Sequence, residues 1–139
     1  MVSIRVSAAP HPSFTGTWKM DTSQSDFGML PKVSSITDRI TEQGSEIVIN
    51  RTREGRDVEI HIPLDGSQKD NDIMGNPMKT DAHWDGDVLT VNFVGTRNGK
   101  PISYKERWTL APDGKTYQIS RHLTSPRGET DQTLLMVKQ

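Results

Sequence analysis

Phe14-Thr15-Gly16-Thr17-Trp18-Lys19-Met20 is the stretch on which the reading of this chain turns. Gly16 and Trp18 are two residues apart, so on a strand they share one face. The glycine lets a neighbouring backbone or ring approach closely. The tryptophan brings a large apolar surface with one N–H that needs an acceptor. At the end of a small closed sheet such a pair acts as a plug. A tripeptide is too short to carry that conclusion, so the remaining residues must supply it.

They do so through their turns. Gln43-Gly44-Ser45, Glu54-Gly55-Arg56, Asp65-Gly66-Ser67, Asp85-Gly86-Asp87, Asn98-Gly99-Lys100, Asp113-Gly114-Lys115 and Arg127-Gly128-Glu129 recur with the rhythm of an all-β barrel or sandwich. Asp-Gly and Asn-Gly supply the positive φ angles that tight hairpins demand. Between them the chain alternates. Val58, Ile60, Ile62 and Leu64 share a face, as do Leu89, Val91 and Phe93. Ile102, Tyr104, Glu106, Trp108 and Leu110 form another set, and Tyr117, Ile119, Arg121 and Leu123 a fourth. Thr130 to Val137 reads as a last strand. Val33 to Thr41 is β-branched enough to read as a strand, and Asp21 to Pro31 has room for one helical turn.

Trp84-Asp85-Gly86 and Trp108 with Asp113-Gly114 each place a turn after a strand bearing a tryptophan, as successive hairpins of a meander would. Gln68 to Met78 reads as the longest irregular piece, a candidate rim or lid. The expectation is an antiparallel up-and-down β-barrel of about 8–10 strands, which removes exposed edges. A β-sandwich is the alternative.

The 139 residues fit one domain, assigned to 14–139, behind a tail at 1–13. Seventeen Lys and Arg against 18 Asp and Glu give a net charge of −1, so no basic footprint for nucleic acid is visible. No apolar run approaches the roughly 20 residues of a membrane-spanning helix. Hydrophobic residues make up 32%, low for a dry core, which a barrel with polar groups inside would explain. The absence of cysteine excludes disulfides and thiolate chemistry. Ser7-Ala8-Ala9-Pro10-His11-Pro12 resembles the residues after a signal cleavage site, without an apolar region before it. One reading is an export signal cut short, with a periplasmic or secreted location; the other is an ordinary frayed terminus. Oligomeric state is not legible.

With these residues in place, Phe14 to Met20 and the Ser/Asp/Phe segment after it resemble the opening of the calycin superfamily. The chain is similar to lipocalins and fatty-acid-binding proteins, and most like small bacterial lipocalin-like domains. Trp84 to Leu89 and Glu106 to Leu110 with Asp113-Gly114-Lys115 resemble later strands of such barrels. The resemblance implies a cavity for a small, mostly apolar molecule. It departs at two points. Asp21 to Val33 is too short for the two helices of fatty-acid-binding proteins, and Leu134-Leu135-Met136-Val137-Lys138 lacks their carboxylate-holding Arg and Tyr. Lipocalins set a late Arg over the first-strand Trp; here the candidates are Arg121, Arg127 and Lys138.

Charges on apolar faces are the candidate site. Glu106 lies between Tyr104 and Trp108, Arg121 between Ile119 and Leu123, and Arg51 and Arg53 continue the face of Ile47 and Ile49. A charge inside a barrel must be paired or wetted. Glu106 and Arg121 should therefore meet across the hairpin at Asp113-Gly114, or point outward at a bulge. The expected ligand wall is Tyr104, Glu106, Trp108, Tyr117, Ile119 and Arg121, with Gly16 and Trp18 as barrel floor. His61, His83 and His122 lie on outer faces without ligand spacing, so neither a metal site nor a cofactor is expected. Asp70 and Asp72 mark a solvated acidic stretch rather than a calcium loop. The expected function is binding of a small apolar or amphipathic molecule. The alternatives are a small cyclase- or isomerase-type enzyme using Tyr104, Glu106 or Arg121, and a protein-interaction module with a filled core.

Overall fold

The computed structural model describes residues 11–139. The turn rhythm resolves into ten strands: β1 (Gly16–Met20), β2 (Ile36–Gln43), β3 (Glu46–Arg53), β4 (Arg56–Pro63), β5 (Lys69–Ile73), β6 (Asn76–Asp85), β7 (Val88–Arg97), β8 (Lys100–Leu110), β9 (Thr116–Ser125) and β10 (Gly128–Lys138). One 3₁₀ turn, Thr22–Gln24, follows β1, with Asp21 capping it by accepting from the Ser23 and Gln24 amides. Among the described residues no helix is long and apolar enough to cross a membrane.

All ten strands belong to one antiparallel sheet in the order β4-β3-β2-β1-β10-β9-β8-β7-β6-β5. Every connection joins hydrogen-bonded neighbours except β4–β5, which links the two edges of the sheet, and β1 pairs with β10 as well as β2, so the first and last strands lie side by side. The sheet therefore curls into a nearly closed barrel, not two packed layers. Its tight turns use the expected chemistry: Asn98 and Gly99 between β7 and β8 have φ of 53° and 76°.

Two expectations need correction or restriction. Gln68 to Met78 is no loop or lid, because β5 and the start of β6 form a hairpin there, turning through Met74 (φ 55°) and Gly75 (φ 85°). Lys69-Asp70-Asn71-Asp72 lacks the apolar alternation that marks a strand, and Met-Gly is an unusual turn pair. The tail assigned to 1–13 falls largely outside the described residues. Of its last residues, His11 stacks on the Trp84 ring at 4.3 Å and Ser13 donates to Glu42.

β4 and β5 face each other at the barrel's remaining seam. Here one side chain takes the place of a backbone ladder. The Asn71 carbonyl oxygen accepts from the His61 amide and its Nδ2 donates to the His61 carbonyl, both at 2.8 Å. The same Nδ2 reaches Thr80 Oγ1 on β6 at 2.9 Å.

Inward positions follow the period of two. Ile36, Asp38 and Ile40 on β2, Ile47, Ile49, Arg51 and Arg53 on β3, and Gln132, Leu134 and Met136 on β10 join the sets on β7, β8 and β9. The strand registers place Ile40, Ile47, Ile62, Leu89, Trp108, Tyr117 and Met136 toward one end. Ile36, Arg53, Ile102 and Leu123 lie toward the other, the mouth.

Candidate functional site

The barrel is closed at one end by aromatic rings. Trp18 is fully buried, and its Nε1 donates to the Phe14 carbonyl at 2.8 Å, which satisfies the one polar atom it carries inside. Phe14, Trp18 and Trp108 each pack against Tyr117, at centroid distances of 5.1, 4.7 and 5.6 Å. Gly16 has φ of 142°, and a Cβ there would stand 3.1 Å from Cε of Lys138. Only glycine fits both demands. Lys138 crosses this gap and sets its ammonium 5.7 Å from the Trp18 ring. Of the three cations named for that place, Lys138 is the one there. Gly16 and Trp18, the expected floor, thus lie at this end of the barrel with Lys138 beside them.

Above the plug lies a belt of charge. Glu106 and Arg121 are direct cross-strand partners. Arg121 Nε and Nη2 both stand 2.7 Å from Glu106 Oε2, while Trp108 Nε1 donates to Oε1 at 2.9 Å. Arg121 Nη1 donates to Gln132 Oε1 at 3.1 Å, and Gln132 Nε2 passes the chain on to the Phe27 carbonyl at 3.0 Å. On the other side Arg51 grips Asp38 with two parallel bonds, 2.8 and 3.0 Å. Asp38 is fully buried. Burial works against the Arg51 charge, but Asp38 more than offsets it and holds the guanidinium above its ordinary pKa. The Tyr117 hydroxyl, close enough to feel Asp38, Arg51, Glu106 and Arg121, has no hydrogen-bond partner among the described residues. Burial pushes its pKa well above the ordinary phenol value.

Asp38 and Gln132 are the members of this belt missed by reading the sequence. Both carried the same signal as Glu106, a polar residue on an apolar face: Ile36-x-Asp38-x-Ile40 and Gln132-x-Leu134-x-Met136.

The barrel's upper half differs. Tyr104 is half-buried, with the Arg121 guanidinium 5.6 Å from its ring centre. One step further up, Ile102 and Leu123 border a hollow of about 490 Å³ that opens at the mouth. Met29, Leu30 and Pro31, on the segment between β1 and β2, border it too, with Pro126 and the β9–β10 turn. Met29 is 86% exposed and Leu30 41%, unusual for large apolar side chains. Arg97, Lys100 and Arg127 bring positive charge to the same rim, against Glu129.

The six residues expected as ligand wall all lie on inner faces. Glu106, Trp108, Tyr117 and Ile119 are buried, while Tyr104 and Arg121 are partly open. None borders the hollow, which starts at the next inward positions, Ile102 and Leu123. The hollow was not legible because Met29-Leu30-Pro31 carries no pattern that says where the segment folds.

The histidines lie outside. His61 is bracketed by Glu46 (2.7 Å) and Glu59 (3.0 Å), and His122 by Asp131 (2.6 Å) and Glu129 (2.9 Å). These hydrogen bonds, to Glu59 and Asp131 above all, raise both imidazole pKa values. Among the described residues no group of three or more His, Asp and Glu could hold a metal ion.

This architecture is a lipocalin- and fatty-acid-binding-protein-like barrel fold. No family model matches the chain, and no curated protein matches its sequence. Among solved structures it is similar to a secretory abundant heat-soluble (SAHS) protein from Ramazzottius varieornatus. The TM-score is 0.71 at 10% identity, over 94% of this chain and 98% of that one. It is also similar to zebrafish ileal bile acid-binding protein in complex with cholic acid. There the TM-score is 0.67 at 13% identity, over 91% of this chain and 98% of that one. At such identities the likeness is one of fold.

Proposed function

We propose that this barrel binds one small apolar or amphipathic molecule in its upper half, between the charged belt and the mouth. The observation that carries the reading is the hollow of about 490 Å³ bordered by Ile102, Leu123, Met29 and Leu30. Its size is in the range of small-molecule sites, and its lining joins apolar residues such as Met29, Leu30, Ile102 and Leu123 to polar and charged ones from the β7–β8 and β9–β10 turns, as an amphipathic molecule would require. Tyr104 and Arg121 lie on the inner face below Ile102 and Leu123 without bordering it, and Trp18 is buried at the opposite end. The ligand-binding neighbour with cholic acid is consistent with this use of the fold.

Catalysis by Glu106 is less well supported. Each of its carboxylate oxygens already has a donor, Trp108 or Arg121, so neither is left free to move a substrate proton. That arrangement suits a fixed wall.

The test is a fluorescence titration with the neutral probe N-phenyl-1-naphthylamine. Saturable one-to-one binding is expected, and Leu123→Trp, which fills the hollow, should abolish it while leaving the circular dichroism spectrum unchanged. Binding that is absent in the parent, or unaffected by Leu123→Trp, contradicts the reading.

A further inference from the structure

The hairpin turns sort charge between the two ends of the barrel. At the mouth, Arg53 and Arg56 flank the β3–β4 turn, Arg97 and Lys100 flank the β7–β8 turn, and the β9–β10 turn carries Arg127. Glu54 is the acid within these three turns. At the aromatic end each turn brings acid instead: Glu46 beside Gly44-Ser45, then Asp65, Asp85 with Asp87, and Asp113. Lys69 and Lys115 are the cations in those turns. A net charge of −1 thus conceals two rims of opposite sign.

These charges do not serve their own hairpins. Arg97 stands directly opposite Lys100, and Arg53 opposite Arg56, and like charges so placed destabilise a strand pair. Among the described residues, the lysines and arginines in ion pairs are Arg51, Lys69, Lys79, Arg107 and Arg121. Arg56, Arg97, Lys100 and Arg127 are not among them, and all four are exposed. On the other rim Asp65 and Asp113 accept from Ser67 and Lys115 within their own turns, and their charge faces solvent. Each rim also shows apolar groups. Met29 and Leu30 stand out at the mouth, while the β8–β9 turn offers exposed Pro112 beside half-buried Leu110 and Ala111.

An anionic lipid surface would account for the cationic mouth alone. A second copy of this chain accounts for both rims, because the two ends of one barrel have a common circumference and opposite charge. With a net charge so close to zero, copies do not repel one another as wholes. We infer that the chain associates with itself head to tail, the cationic mouth of one copy docking on the acidic aromatic end of the next. Such a contact uses a different surface on each partner and leaves a free rim at either end of the pair. It therefore builds short chains that lengthen with concentration, not a closed dimer. Exposed charge supplies recognition and salt dependence, each pair alone contributing little. The inference stands apart from the chamber, since it needs no ligand.

Sedimentation velocity over a concentration series tests it. At about 0.01 M salt, where charges act over about 30 Å, the sedimentation coefficient should rise with concentration; at about 1 M, where they act over about 3 Å, the protein should be monomeric. Arg97→Glu/Lys100→Glu/Arg127→Glu reverses the mouth. Asp65→Asn/Asp87→Lys/Asp113→Asn removes acid from the other rim while Asn keeps the turn acceptors. Each should weaken self-association at least about tenfold, with the circular dichroism spectrum unchanged. An equimolar mixture of the two should associate again and stop at pairs, because each supplies the native rim that the other lacks. A monomer at every concentration and salt overturns the inference, as does association that survives 1 M salt or either variant. Loss in both variants without recovery on mixing overturns it too. A parent that stays monomeric but co-sediments with phosphatidylglycerol vesicles, abolished by the mouth variant and untouched by the other, assigns the cationic rim to lipid and also overturns it.

Discussion

Asp38→Ala is the perturbation that most sharply examines the charged belt. Asp38 has no exposure, and Arg51, its partner through two hydrogen bonds, keeps 15% of its side-chain surface exposed. Truncation leaves the guanidinium among apolar walls without an acceptor. Breaking a buried ion pair in this way costs about 3–5 kcal/mol, and the residual access of Arg51 to water places the expectation near the lower end. A domain of this size has about 5–15 kcal/mol in total, so the loss is a large share of it. Replacing both partners by apolar residues, Asp38→Leu with Arg51→Met, should cost far less than Asp38→Ala alone, because no orphan charge remains. Urea unfolding followed by tryptophan fluorescence and circular dichroism measures all variants. A cost below about 1 kcal/mol for Asp38→Ala, or additive effects in the double variant, would refute the claim that the pair is buried and mutually dependent.

Three other outcomes follow from the same geometry. Tyr117→Phe removes a buried hydroxyl without a partner and should leave stability unchanged or raise it by up to about 1 kcal/mol; a loss above that on chemical denaturation would show that the hydroxyl is satisfied. Asn71→Ala strips the seam of its bonds to both His61 backbone groups, so about 1–3 kcal/mol should be lost, with hydrogen exchange accelerating first in β4 and β5; uniform acceleration around the barrel would contradict this. His61 and His122 have folded pKa values raised above the unfolded value of about 6.5, so their contribution is fully present below that pH and is lost as pH rises through the folded values. The urea midpoint should therefore fall as pH rises from about 6.5 through the raised folded values, and less so in His61→Gln/His122→Gln or at high salt; an unchanged slope in that variant would remove the histidines from the account.

The architecture was legible because its signals are local. Alternation of period two and Gly-containing turns specify which residues face inward whatever surrounds them. Glu106 and Arg121 could be paired in advance because one hairpin fixes their register. Asp38 and Gln132 gave the same parity signal, but their partners, Arg51 and Arg121, become apparent only when strands are placed beside one another. β5 escaped because Lys69-Asp70-Asn71-Asp72 shows no apolar alternation, its buried inward residue being the polar Asn71. The hollow depends on where Met29-Leu30-Pro31 crosses the mouth. That path is set by tertiary contacts, such as the Met29 amide donating to Thr130 Oγ1 at 3.1 Å, which no periodicity encodes.

The central claim is that a small molecule occupies the space above the belt, and side-chain methyl NMR tests it most directly. On titration with N-phenyl-1-naphthylamine, the methyl signals of Met29, Leu30, Ile102 and Leu123 should shift saturably with one stoichiometry, while those of Ile47, Ile62 and Leu89 beside the plug stay in place. Absence of saturable shifts, or shifts centred on outward-facing Val94, would contradict it.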